Sequence, residues 1–294
     1  MACALLPAAV QAQEILVVPA RPEPGAIVRL IVPTSGDDSI VTIRGTLAGE
    51  PLHFGRSPQG DWSSLGPIPV DASDSVVAHI MIQRTSSAVD SLRAAVPVPT
   101  IEVVASSNLS VNTRYTSPMD AATAARVNRE NARAREVGRR AHETPRMWES
   151  TFRRPRNTVI TSQFGSGRVF NGELRSRHLG VDFRGAVGTE VRAANRGVVA
   201  LVDTFFLAGQ LIYLDHGAGI TTAYFHLSKT LVAEGDTVVR GQLIGHVGES
   251  GRVTAPHLHW AARYGAINVN PLDLIARTSG ESAREEQATP DEAP

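Results

Sequence analysis

Residues 255–260 read APHLHW, and the spacing of the two histidines carries the reading of the fold. In an extended strand, positions i and i+2 point to the same face, so His257 and His259 project side by side. Such a pair can grip a metal ion or fill a buried strand, and alone it does not choose between them. Six of the nine histidines fall between positions 178 and 259, in a block that is otherwise mostly apolar and glycine. There, HLGVD sets His178 and Asp182 four residues apart with Gly180 between them, and YFHL sets Tyr224 and His226 at i and i+2. If HLGVD is extended, residues 178, 180 and 182 share one face. The missing side chain at Gly180 then leaves room for an ion between imidazole and carboxylate.

Zinc favours nitrogen ligands with an occasional carboxylate, and a catalytic zinc keeps three protein ligands and an open position. Two histidines and one aspartate meet that count and leave two histidines for proton transfer. Other sites built on HxH do not match. A metallo-β-lactamase site continues as HxHxDH, whereas Trp260, Ala261 and Ala262 follow here. A cupin needs a glutamate shortly afterwards and a later histidine, and a carbonic-anhydrase-like site also needs a later histidine. His259 is the last histidine of the chain. The remaining ligand therefore lies upstream, where HLGVD is the cluster with suitable geometry.

The segments around these motifs are β-like. VITSQFG, GVDFRG, GVVALVD, LIYLDHG, TTAYFHL and LIGHVG are short Val- and Ile-rich runs joined by glycine turns. The first helix-period segment after residue 151 is NPLDLIA. Five motifs occur in a fixed order across residues 158–275: VITSQFGSGRVFNG, HLGVDFRGAVGTEVRAANRGVV, LDHGAGITTAYFHL, VAEGDTVVRGQLIGHVG and APHLHW…NVNPLDL. In these motifs the chain resembles the LytM/lysostaphin-type zinc endopeptidases, peptidase family M23. The resemblance implies a mainly β, compact antiparallel domain with folded-over hairpins like those of lipoyl carriers. It implies one zinc ion held by His178, Asp182 and His259, with His226 and His257 as unliganded catalytic histidines. Asn171 falls where the family's site wall begins and is expected to contact substrate, as is Tyr224. Trp260 departs from the phenylalanine common after HLH.

The activity implied is hydrolysis of peptide cross-links or bridges in bacterial peptidoglycan. The alternative is a non-catalytic wall-binding regulator of other hydrolases. Members of that kind commonly lose zinc-site residues, and all five positions are present here. VAEGDTVVRGQLIG also resembles a biotin- or lipoyl-carrier hairpin, but Lys229, the only lysine, lacks the carrier motif. His216 and His246 read as structural or peripheral, and His53 and His79 as isolated structural histidines.

Upstream, residues 14–105 alternate short Val- and Ile-rich runs with turn clusters such as TSGDDS, which predicts a small antiparallel sandwich, immunoglobulin-like in outline. An envelope protein is the expected partner for this module. Residues 106–150 form an Arg- and Ala-rich linker whose helix is expected to be capped by Ser117, with Pro118 first and Asp120 in the first turn. It is expected to continue to about His142 and to cover a surface or bridge domains. The peptidase domain is placed at 151–277 and a disordered acidic tail at 278–294.

Hydrophobic residues make up 42% of the chain, enough for a sizeable core, and Lys+Arg balance Asp+Glu at 29 each. Zero net charge offers no global attraction to nucleic acid or an anionic membrane. Cys3 is the single cysteine, so no intrachain disulfide can form. The first twelve residues are small and apolar and end in Val10-Gln11-Ala12, which reads as the tail of an export signal cleaved before Gln13. The expected location is therefore the periplasm, cell envelope or exterior. No later segment approaches the ~20 apolar residues of a transmembrane helix.

Overall fold

The computed structural model describes residues 15–34, 39–56, 60–101, 105–108, 119–170 and 173–279. The proposed signal remnant, Cys3, Asn171 and nearly all of the expected tail lie outside them. The described chain is mainly β, as expected. Residues 15–98 form two four-stranded antiparallel sheets around a shared core. One sheet runs Leu16–Val18, Ile27–Val32, Trp62–Pro67, Gly55–Arg56, and the other Glu50–Leu52, Ile40–Leu47, Asp74–Arg84, Val89–Val98. The Asp74–Arg84 strand shows why: Val76, Ala78, Ile80 and Ile82 are buried while residues between them face outward, the period-2 pattern of a half-buried sheet.

The linker helix spans Ala121–Arg140. Asp120, expected inside the first turn, is instead the N-cap, its carboxylate accepting from the Thr123 amide at 2.6 Å. Ser117 and Pro118 lie outside the described residues. The helix lies on the outer face of the C-terminal sheet, and its small residues set the approach. Ala134 and Gly138 are buried, and a Cβ on Gly138 would stand 2.0 Å from the Gly265 carbonyl oxygen. Arg133 pairs with Asp203, and Glu130 accepts from the Phe206 amide at 2.9 Å. Arg126 also reaches the sheet, donating to the Thr204 carbonyl at 3.2 Å and lying over the Phe206 ring.

The C-terminal sheet is antiparallel throughout. Its main path is Ile160–Ser162, Val181–Arg184, His257–Tyr264, Ile220–Thr230, Gly209–Gly217, Gly197–Phe205, Thr237–Val238. The central Ile220–Thr230 strand changes partner along its length. Residues 220–225 pair with His257–Tyr264, and 227–230 with Leu243–Val247. That exchange folds the sheet over on itself around Trp260, Tyr224, Phe183 and Ile212. A separate hairpin, Gly167–Phe170 with Glu173–Arg177, takes the linker strand Ala105–Asn108 in parallel on its free edge.

The sandwich is fixed to this domain by specific bonds. Tyr264 donates to the Pro51 carbonyl, the Ala266 amide donates to Glu50, and the Ile27 amide donates to Asp273, each at 2.9 Å. His53 is not isolated, contrary to expectation. Its Nε2 lies 2.8 Å from His142 Nδ1, and His142 Nε2 lies 2.9 Å from Glu50. His79 is on the solvent face of its strand. No helix among the described residues is long and apolar enough to cross a membrane.

Candidate metal centre

Strand pairing brings the first two groups together. Asp182 and His259 are direct cross-strand partners, and Asp182 Oδ1 lies 2.8 Å from His259 Nδ1. His178 reaches them from the segment between the hairpin and the Val181–Arg184 strand. Its Nε2 is 2.9 Å from His259 Nδ1 and 3.0 Å from Asp182 Oδ1. All three residues are buried, and they form the one metal-competent group found among the described residues.

The donor set fits a cation. His178 Nδ1 lies 2.9 Å from the Gln163 carbonyl. A carbonyl can only accept, so Nδ1 carries the proton and Nε2 presents a lone pair to the centre. Two imidazole nitrogens and a carboxylate oxygen thus converge out of solvent. Their 2.8–3.0 Å separations approach the ~3.3 Å edges of a tetrahedron with zinc bonds of about 2.0 Å. Burial by itself would raise the Asp182 carboxyl, but the His178 and His259 imidazoles packed against it prevail and hold it below the ordinary carboxylate range. Gly180 has a different role from the one expected. A Cβ there would meet His259 Nε2 at 2.5 Å, so the space it vacates is filled by a ligand's ring.

His226 and His257 stand beside this triangle, their ring centroids 4.9 Å apart. His226 Nδ1 donates to the Ser250 carbonyl and His257 Nδ1 to the Ala255 carbonyl, each at 2.8 Å. Each neutral ring then keeps Nε2 as a basic nitrogen. His257 Nε2 is 3.7 Å from Asp182 Oδ1. Burial first, then the neighbouring His257 and His259, pushes the His226 pKa well below that of an ordinary histidine.

His226 is placed by a break in its strand. Between the paired positions Gln210↔Leu227 and Ile212↔Tyr224, the single residue Leu211 opposes two residues of the next strand, Phe225 and His226. This is a β-bulge, with His226 at φ 62°, a left-handed backbone that residues other than glycine seldom adopt. The extra residue reverses the alternation. Thr221, Ala223 and Phe225 face the cavity together with His226, whereas Tyr224 turns into the core. Tyr224 is fully buried, and its hydroxyl accepts from the Ala194 amide at 2.8 Å. It is therefore a packing residue and not a substrate contact.

Sequence reasoning missed Phe225, whose ring stacks on His259 at 5.2 Å and 11°. It also missed the carbonyls of Gln163, Ser250 and Ala255 that orient three imidazoles, because backbone acceptors leave no residue-type signature. His216 has the structural role expected, bonded to the Arg196 carbonyl and Thr222 at 2.7 and 2.8 Å.

Residues 176–271 match the family model described as peptidase family M23. The C-terminal part of this chain is an M23 peptidase domain. Over 102 residues it is 46% identical to the peptidoglycan DD-endopeptidase ShyA of Vibrio cholerae, covering 34% of this chain and 24% of that protein. It is 40% identical over 101 residues to the DD-carboxypeptidase/endopeptidase Mpg of Neisseria meningitidis, covering 34% and 23%. The matched stretch thus spans about a quarter of these relatives' length. A crystal structure assigned to peptidase M23 from Pseudomonas aeruginosa, 25% identical, superposes on 87% of this chain and 95% of its own with a TM-score of 0.66. That likeness extends beyond the M23 domain to the sandwich and helix. M23 peptidases are zinc enzymes, and the His178, Asp182 and His259 set is where this domain would hold its ion.

Proposed function

We propose that this chain is a zinc-dependent endopeptidase that hydrolyses peptide cross-links of bacterial peptidoglycan outside the cytoplasm. The observation that carries the reading is the pairing of a buried three-donor site with two unliganded imidazoles whose rings stand beside it. Zinc, when bound, supplies Lewis acidity toward a carbonyl and a lowered pKa for water. The chain's own residues supply the proton traffic. One Nε2 accepts a proton from the attacking water, and the other hydrogen-bonds the developing oxyanion or returns a proton to the leaving amine. The Ser250 and Ala255 carbonyls keep both rings in the tautomer this requires. The names of the ShyA and Mpg relatives support a substrate class of D-amino-acid-linked peptides.

The sandwich contributes none of the five site residues. We assign it to docking, with an envelope protein as its partner. The activity test is incubation of the full chain with purified peptidoglycan, with and without chelator, and mass spectrometry of the released fragments. Chelator-sensitive release of cleaved cross-link peptides is expected. A zinc-loaded chain that releases none would refute the enzyme reading and favour a non-catalytic regulator.

A further inference from the structure

A cavity of about 290 Å³ opens from the metal centre along the sheet. Its floor is the shared face of two paired strands, with Thr221, Ala223 and Phe225 on one and His259, Ala261 and Arg263 on the other. One wall is the linker helix, through Asn131 and Ala134, and the opposite wall holds Arg177 and Leu179. The helix lies outside residues 176–271, so this wall is not part of the stretch that matches the family.

Arg263 and the sign of the lining charge mark this cavity as built for an anion. Arg263 stands on the floor as the direct cross-strand partner of Thr221. Its guanidinium donates to the Ala266 carbonyl at 2.9 Å, which uses one of its five N–H donors. The charge is one-sided as well. Arg177, Arg252 and Arg263 line the cavity, and no Asp or Glu does so among the described residues.

We propose that this groove is a subsite for a carboxylate of the peptide substrate, with Arg263 as the specificity-determining residue. The inference rests on the peptidase reading above and names which peptides the site prefers. Arg presents a planar fork suited to a carboxylate, and the helix narrows the groove on one side so that the pair is partly desolvated. The carboxylate can come from the peptide's C-terminus or from an acidic side chain.

The test uses three synthetic cross-linked peptide dimers: the full acid, the C-terminal amide and the side-chain amide. Their affinities for the full chain are measured in chelator, where no turnover occurs, and their KM and kcat with zinc. The expected result is that Arg263→Gln weakens binding of the full acid at least tenfold and raises its KM with kcat little changed. Arg263→Lys should recover part of the loss. One of the two amides should bind the wild type as weakly as the acid binds Arg263→Gln and should be indifferent to that substitution, which identifies the carboxylate. If both amides bind like the acid, or if Arg263→Gln leaves the acid's affinity and KM unchanged, the subsite is overturned. Acid-selective binding without cleavage in zinc would sink the endopeptidase reading and leave the subsite standing.

Discussion

Two strands of this chain, both eleven residues long, show how regularity and function divide the molecule. Asp74–Arg84 in the sandwich alternates buried and exposed side chains over most of its length. Ile220–Thr230 in the M23 domain is buried on both faces over its first half, exchanges partners midway, and places a histidine at φ 62° where the exchange occurs. The first strand contributes apolar burial and little else. The second gives up ladder regularity at one position, and that position is a proposed catalytic residue. Strain of this kind persists only where surrounding structure over-determines it. Here the His226 amide donates to the Ala208 carbonyl and its ring to Ser250, at 2.9 and 2.8 Å.

Substitutions can break the contrast. The largest effect is expected at the bulge. His226→Gly should lower kcat/KM by at least ~100-fold, the usual scale for a lost acid–base group. Its stability should stay within about 1 kcal/mol of wild type, because relief of the left-handed backbone (~1–2 kcal/mol) offsets the lost hydrogen bond. His226→Ala should be equally inactive yet less stable than the glycine variant, by about 1 kcal/mol in urea unfolding. Equal stability of the two would remove the strain argument.

In the regular strand the order of effects reverses. Ile80 is fully buried, and Ile80→Ala should cost about 2–5 kcal/mol while the folded fraction keeps its kcat/KM. Its outward neighbour Met81 is 53% exposed, and Met81→Thr should change stability by no more than about 0.5 kcal/mol. If the two cost the same, the alternation does not set the core.

A pH-dependent effect belongs to His216, another buried histidine of the M23 domain. Burial pushes its pKa down to about 4, partly opposed by its bond to the Arg196 carbonyl. The unfolded chain takes up this proton near pH 6.5 and the folded chain does not. The stability contribution is therefore complete above pH 6.5 and is lost as pH falls toward 4. It amounts to something of order 3 kcal/mol. Urea midpoints of wild type and His216→Asn should converge over that window, and parallel curves would refute the assignment.

The same contrast sets what the sequence could reveal. The Asp182–His259 pair was legible because period-2 geometry holds through Val181–Arg184 and His257–Tyr264, which pair in register, and His178 joins it from the segment before the first of these strands. Tyr224 was misplaced because the identical rule was applied across a bulge that no residue type announces. Strands Trp62–Pro67 and Val89–Val98 carry little strand signal, since Ser, Gly and Pro in one and Ala and Arg in the other give no β-branched run. The helix wall was also hidden. Asn131 and Ala134 meet the cleft from about fifty residues upstream of His178 and through tertiary packing alone.

Most direct is a comparison of zinc content and peptidoglycan cleavage for the full-length wild type, His257→Ala and His259→Ala. One zinc per chain is expected in the wild type and in His257→Ala, none in His259→Ala, and cleavage in the wild type alone. Loss of zinc from His257→Ala, or retention of zinc and activity in His259→Ala, would contradict the division of labour between these two histidines.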